Sequence, residues 1–561
     1  MNPKQIKVAS KEIPAELVIK NAKIVDVFNL EILSGDVAVV GGMIVGIGDY
    51  EGENILDAKG RYLVPGLIDA HVHIESSMTI PSQFAEAVLP HGVTTVITDP
   101  HEIANVSGAD GIQFMLNNSE GLPLDVRVML PSCVPATPFE NSGAVLNADD
   151  LLPFYNHPRV LGLAEVMDYP SVKNQSSDMM KKLQDAQPYP IDGHGAGFDT
   201  TALNVYRTAG IRTDHECTTA EDALDRVRRG FYVQIREGSA AKNLKALLPA
   251  VIPRNSHRFL FCTDDRHLDE LIAEGSIDEN IRLAVKLGLD PLMAIQMATL
   301  NAAQCYGLHT KGAIAPGYEA DFLLVDAIDR FRVFETYVKG ELVAREGVYL
   351  ASRPKALVPA SLQNTVKLPP IDEKLFTLKL QGEKAHVIGI IPGSIVTEHL
   401  ILPVDSDDLL KLAVIERHKN TGNVGVGLVK GFGLKRGAVA ATIAHDSHNL
   451  MVVGTNDADM VAAALAMEKL QGGIAIVDNG AVLASLPLPI GGLMSDAPLS
   501  DISNKIKSLS ISLQKIGFTK DFDFLLTLAF LSLPVIPSLK LTQSGLFDVG
   551  TFTGIGLDAG N

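Results

Sequence analysis

Between residues 63 and 262 the chain alternates short apolar runs with longer stretches of helical periodicity. The runs fall at residues 63–68, 93–98, 126–130, 160–164, 190–192, 211–213, 231–235 and 259–262. Apolar runs this short, bounded by turn residues, read as buried strands, and the stretches between them as crossover helices. Eight such units are what a closed parallel barrel requires, so a TIM-like (β/α)8 barrel is expected over residues 65–311. The flanks have a different texture. Residues 17–27 and 37–47 are β-rich, separated by Gly35 and Asp36, and a similar pattern returns at 320–326, 333–340 and 342–348. Residues 1–64 and 312–360 are therefore expected to assemble one composite β-sandwich from both sides of the barrel. Residues 365–561 read as an additional C-terminal α/β domain. Its clearest helix lies at 460–470, entered through the capping candidates Asn456 and Asp457. Within it, residues 425–431 are glycine-rich but lack the Gly-Lys-Ser/Thr ending of a phosphate loop, and read as a flexible turn.

Composition narrows the class. A chain of 561 residues is too long for one core, and at 46 % apolar residues it can fill several. The formal charge of −18, with nothing to supply a broad basic face, argues against a nucleic-acid partner. Cys133, Cys217, Cys262 and Cys305 lie far apart with no Cys-x-x-Cys pair, the pattern of reduced thiols in a cytoplasmic protein. Residues 1–14 lack the apolar stretch of a signal peptide. The most apolar late segment, 524–539, is shorter than a membrane span and is broken by Pro534 and Pro537. A soluble, cytoplasmic protein without a membrane partner is expected.

Catalytic residues of such barrels gather at the C-terminal ends of the strands. The first run ends in His71-Val72-His73, the fourth in Glu165, the fifth in His194, the sixth in His215 and the eighth in Asp264. Residues two apart on a strand share a side, so His71 and His73 can grip one ion. Taken singly, a strand-end histidine is more often a packing residue and Glu165 half of an ion pair. The coincidence of all six at one end points instead to a site for two divalent metals, with Glu165 placed to bridge them. Imidazole and carboxylate without cysteine suit zinc, manganese or ferrous iron.

The stretch Val64-Pro65-Gly66-Leu67-Ile68-Asp69-Ala70-His71-Val72-His73 resembles the entry motif of the amidohydrolase superfamily. Lys311-Gly312-Ala313-Ile314 and Gly317-Tyr318-Glu319-Ala320-Asp321 resemble the exit from its barrel. Further stretches narrow the resemblance to bacterial adenine deaminases: Ile74-Glu75-Ser76-Ser77-Met78, Thr98-Asp99-Pro100-His101-Glu102-Ile103-Ala104-Asn105-Val106 and Gly162-Leu163-Ala164-Glu165-Val166-Met167. Ala444-His445-Asp446-Ser447-His448-Asn449 resembles that family's C-terminal domain. The resemblance runs essentially end to end. It implies metal ligands at His71, His73, Glu165, His194, His215 and Asp264, with manganese or ferrous iron in preference to zinc. Glu165 stands where many relatives use a carboxylated lysine.

What the resemblance implies chemically is hydrolysis of adenine, a small purine base, to hypoxanthine and ammonia, in purine salvage and by a homo-oligomer of two or more copies. A metal-bridged hydroxide would attack carbon six, with Asp264 as both ligand and base. His101, Glu102 and Glu237 are candidates for protonating the ring nitrogen beside that carbon. Arg236, beside Glu237, is a candidate donor to purine nitrogens, and Glu75 a candidate to orient a ligating histidine. His101 and Glu102 could equally cap a helix, and Arg236 and Glu237 could form an ion pair. His445 and His448, three apart, could reach the barrel mouth or a neighbouring subunit, or serve on the surface. Two rivals share the fold: a cyclic-amide hydrolase of the dihydroorotase or hydantoinase type, and a non-catalytic scaffold. The zinc deaminases of nucleic acid are excluded because their Pro-Cys-x-x-Cys is absent.

Overall fold

The computed structural model describes residues 2–560. Eight parallel strands form the central ring: β1 (Leu67–Val72), β2 (Val93–Thr98), β3 (Asp125–Leu130), β4 (Val160–Val166), β5 (Ile191–Gly193), β6 (Thr213–Asp214), β7 (Tyr232–Arg236) and β8 (Phe259–Cys262). Strands β1 to β5 pair in order, as do β6 to β8. Isolated backbone hydrogen bonds carry the two remaining seams, one beside β5 and two between β8 and β1, the second from the His73 N–H to the Asp264 carbonyl at 3.4 Å. The Arg212 N–H donates to the Ile191 carbonyl at 3.0 Å beside β5, and the Asp264 N–H donates to the His71 carbonyl at 2.9 Å, joining the end of β8 to β1. Every residue of β1, β2 and β8 is buried, as strands lined by helices on one face and by the barrel interior on the other must be. The seam between β8 and β1 sets the carboxyl group of Asp264 beside His71 and His73.

The flanking strands form two sheets of four and seven strands. In the larger one Phe322–Val325 pairs antiparallel with Tyr62–Pro65, so chain from both sides of the barrel shares one ladder. Ile24, Val39, Leu63, Phe322 and Leu324 fill the space between the sheets. The Lys311 ammonium, held by Glu319 at 2.9 Å and Asp321 at 2.8 Å, fastens the barrel exit to the returning strands.

The C-terminal region is built on an eight-stranded, mostly antiparallel sheet, with a three-stranded sheet (Leu539–Thr542, Gly545–Asp548, Thr553–Ile555) against it. Helix Asp457–Leu470 starts three residues earlier than its apolar periodicity suggests, because the Asn456 side chain caps it by accepting the Asp459 N–H at 2.8 Å. The glycine-rich segment is not a turn: Val424–Lys430 is an interior strand of the sheet. Its glycines serve packing. A Cβ on Gly425 would stand 2.0 Å from the Thr542 carbonyl oxygen, so only glycine lets the three-stranded sheet close on this face. All four cysteines are buried and unpaired. Among the described residues, no helix is long and apolar enough to cross a membrane.

Candidate metal centre and pocket

His71 lies in β1 and His73 one residue past its end, on the same side of the chain. Their Nε2 atoms lie 3.4 and 3.2 Å from Asp264 Oδ1. Glu165, near the end of β4, faces two ways. Its Oε1 looks towards His73 (3.3 Å) and His71 (3.9 Å), and its Oε2 towards His194 (2.7 Å) and His215 (3.2 Å). The six strand-end residues thus converge on one carboxylate shared between two histidine pairs, all buried except His194, which is half-buried.

The unshared nitrogens show what this cluster can hold. His73 Nδ1 lies 3.0 Å from the Asp99 carbonyl oxygen, so that nitrogen carries an N–H and Nε2 is turned on two carboxylates, which against burial raise the imidazole well above its ordinary value. His71 Nε2 has no hydrogen-bond partner and is likewise turned to Asp264. Imidazole nitrogens turned on carboxylate oxygens in a buried space need a proton or a metal ion between them, and four imidazoles around two carboxylates make a donor set that fits divalent metal. Burial holds the His71 imidazole down to about 4, with the neighbouring His215 adding to the effect, which keeps it neutral as a ligand must be. Burial opposes ionisation of Asp264 and Glu165 too, but their histidines, and Arg236 in the case of Asp264, outweigh it and hold both carboxyls well below the usual range.

Around this centre lies a pocket whose other side belongs to the C-terminal region. The barrel contributes His101, Glu216, Arg236 and Asp265, and the far wall is Ile395, His445, Asp446, Phe530, Leu533 and Ile536. Residues 530–536 belong to the apolar segment that resembled a failed membrane span; they follow a short helix, Phe524–Ala529, and cover the barrel mouth. His101 opens helix His101–Ser107 after β2, its Nδ1 held by Asp99 Oδ2 at 2.9 Å and its Nε2 turned to Glu102 Oε1 at 3.4 Å.

Three candidates fall elsewhere than expected. Arg236 reaches the pocket, but its guanidinium is engaged by Glu216, by Asp264 Oδ2 at 2.9 Å and by Asn243 at 2.9 Å. Four of its five N–H donors are thus taken, which makes it chiefly a holder of carboxylates with one Nη2 N–H left over. Glu237 turns away and accepts the Leu244 N–H at 3.0 Å, because adjacent strand residues face opposite sides. Glu75 accepts the Ile103 N–H at 3.2 Å and orients no histidine; burial pushes its carboxyl up to about 7. Glu216 and Asp99 are the residues that strand-end reading missed. Glu216 contacts Arg236 and lies 3.5 Å from His215 Nε2. Each sits within two residues of a histidine already singled out, which was the signal available.

A closed ring of eight parallel strands with a shared carboxylate among four histidines at its C-terminal end defines a barrel metallohydrolase. Residues 62–343 match the Amidohydrolase family, and residues 394–553 match the Adenine deaminase C-terminal domain. An adenine deaminase of Geobacillus kaustophilus is 55 % identical over 99 % of each chain. One of Bacillus pumilus is 53 % identical over 98 % of this chain and 97 % of its own. A solved enamidase structure aligns over 59 % of this chain and 96 % of its own, at 20 % identity and a TM-score of 0.45. The chain belongs to the adenine deaminase family of amidohydrolases.

Proposed function

We propose that the chain hydrolyses adenine to hypoxanthine and ammonia at the centre shared by Glu165 and Asp264, as a step of purine salvage. The observation that carries this reading is the two-faced Glu165, set between two histidine pairs at the floor of a pocket that the adenine deaminase C-terminal domain closes. Two divalent ions held by His71, His73, Glu165, His194, His215 and Asp264 would bring the pKa of a water molecule towards neutrality and so supply the nucleophile for carbon six. Manganese or ferrous iron is proposed ahead of zinc.

Asp264 stays ionised at neutral pH, so its Oδ1 can take the proton that water gives up and pass it to the departing amine. Arg236 on Oδ2 holds the carboxylate in place for that transfer. The second proton, needed by the ring nitrogen beside carbon six, is assigned to His101. Burial opposes charging that imidazole, but Asp99 and Glu102 outweigh it and raise it well above its ordinary value, and Nε2 borders the pocket. Glu102 holds His101 rather than donating itself. Phe530, Leu533 and Ile536 shield the site from bulk water. The buried, unpaired cysteines suit a cytoplasmic setting. Assembly into a homo-oligomer belongs to the same proposal and is checked by light scattering.

The test is ammonia release from adenine by protein loaded anaerobically with manganese or ferrous iron. Conversion to hypoxanthine, lost in Glu165→Gln, is expected. No turnover by metal-replete protein would sink the substrate assignment while leaving the barrel and its ligands in place, and a panel of cyclic amides would follow.

A further inference from the structure

Two histidines and a carboxylate meet a second time where the C-terminal domain leans on the barrel mouth. Glu102 Oε1 is met by His445 Nδ1 at 2.6 Å, and its Oε2 by His448 Nε2; all three side chains are buried. The loop that carries both histidines, after strand Ala438–Ala441, holds Asp446 between them. Asp446 lines the catalytic pocket, with Oδ1 3.7 Å from His101 Nε2. Its Oδ2 is buried and has no hydrogen-bond partner among the described residues. A buried carboxylate short of donors is costly unless something else supplies them.

The spacing of Glu102, His445 and His448 would also suit a metal ion, but the wiring of His448 opposes it. The Ala444 N–H donates to His448 Nδ1 at 3.1 Å, so the neutral ring carries its proton on Nε2 and donates to Glu102. His445 is anchored as well: its N–H donates to the Ala529 carbonyl at 3.1 Å and its ring stacks on Phe530 at 4.4 Å. The cluster is a clasp that fixes the loop, and with it Asp446, against the barrel.

We propose that Asp446 is a substrate-recognition residue supplied by the C-terminal domain, accepting the ring N–H of the purine base, with Glu102, His445 and His448 as its positioning residues. This rests on the adenine reading. His101 measures the span involved, with Nδ1 3.6 Å from Glu165 Oε1 and Nε2 3.7 Å from Asp446 Oδ1. A base whose six-membered ring meets the Glu165–Asp264 centre extends its five-membered ring along that imidazole towards Asp446. The free base carries an N–H on that ring. A base substituted at nitrogen nine has none, and would leave the carboxylate unpaired. Asp446 therefore selects free bases over nucleosides.

The experiment compares wild type, Asp446→Ala and Asp446→Asn, all full-length and metal-replete, on adenine and 9-methyladenine, with metal content and Tm measured alongside. Asp446→Ala is expected to lower kcat/KM for adenine about 10- to 100-fold, mainly through KM, with metal content unchanged. The same variant is expected to leave the rate on 9-methyladenine, or its upper limit, unmoved. Asp446→Asn keeps the shape and carries the same test if the alanine variant fails to fold. Adenine kcat/KM within about threefold of wild type, or an equal loss on both substrates, would overturn the assignment. Wild type inert towards adenine would overturn the adenine reading itself, a result distinguishable from either.

Discussion

The centre around Glu165 and the clasp around Glu102 are made of the same parts: a buried glutamate with histidines on both of its oxygens, at the same end of the same barrel. Residue type, burial and spacing nominate both as metal sites. What separates them is the partner of the nitrogen that points away. At His73 that nitrogen meets a carbonyl oxygen and takes the N–H, which leaves the inner nitrogen the one able to ligate. At His448 it meets a backbone N–H, so the inner nitrogen is a donor. One cluster presents nitrogens suited to a cation, and the other is satisfied by its own hydrogen bonds. The lesson concerns backbone rather than side chains: a single peptide group decides whether histidine and glutamate make a ligand set or a hydrogen-bonded joint.

The largest effect expected from this contrast is on Glu165. Glu165→Gln should lower kcat for adenine by about a thousandfold or more and reduce bound metal below two ions per chain, read by elemental analysis. Next, His71→Ala should lose metal whereas His448→Ala should retain the full complement and lose activity only through a weakened pocket; a third metal equivalent that vanishes in His448→Ala would break the comparison. Glu102→Gln keeps both oxygen positions but loses the charge that balances His445, whose imidazole that carboxylate, against the opposing effect of burial, raises to about 9. A drop in Tm with metal content intact is expected, of about 3 kcal/mol or less in stability. Glu237→Gln should stay within about threefold of wild type in kcat/KM, since its side chain faces away from the pocket.

A pH-dependent effect of a different kind concerns Lys540, whose ammonium is buried and donates to the Ile395 and Phe530 carbonyls behind the pocket wall at 2.9 and 3.1 Å. Burial lowers it from 10.5 to about 7. A lysine lowered on folding binds more protons when unfolded across that interval, so its penalty is full below pH 7 and fades as pH rises towards 10.5. Wild type should gain in Tm on Lys540→Met as pH goes from 7 to 10. A constant gap between the two would show that the ammonium is not desolvated as described.

The barrel, and the clustering of the six strand-end residues proposed as ligands, were legible because both follow from periodicity: short apolar runs mark strands, and the chemistry of such barrels sits where the strands end. The same parity rule distinguishes Arg236, which faces in, from Glu237, which faces out, although treating the pair as one motif hid it. Residues 425–431 misled because glycine marks a turn unless another backbone must come close, and the backbone at Thr542 lies more than a hundred residues away in the chain. Nothing local could join Glu102 to His445, or reveal that the apolar residues 530–536 roof a pocket rather than fill a core. Contacts between distant stretches of chain leave no period to read.

The split construction of the pocket also orders events in time. During synthesis Asp264, the last of the six proposed ligands, emerges 266 residues ahead of Phe530, on the order of tens of seconds earlier at ordinary translation speeds. Through that interval the mouth of the newborn barrel has no roof, and the path by which metal would enter is wider than in the completed chain. Metal offered to the growing chain should therefore be taken up faster than metal offered to finished apo-protein, a difference that chelator-competition kinetics would resolve.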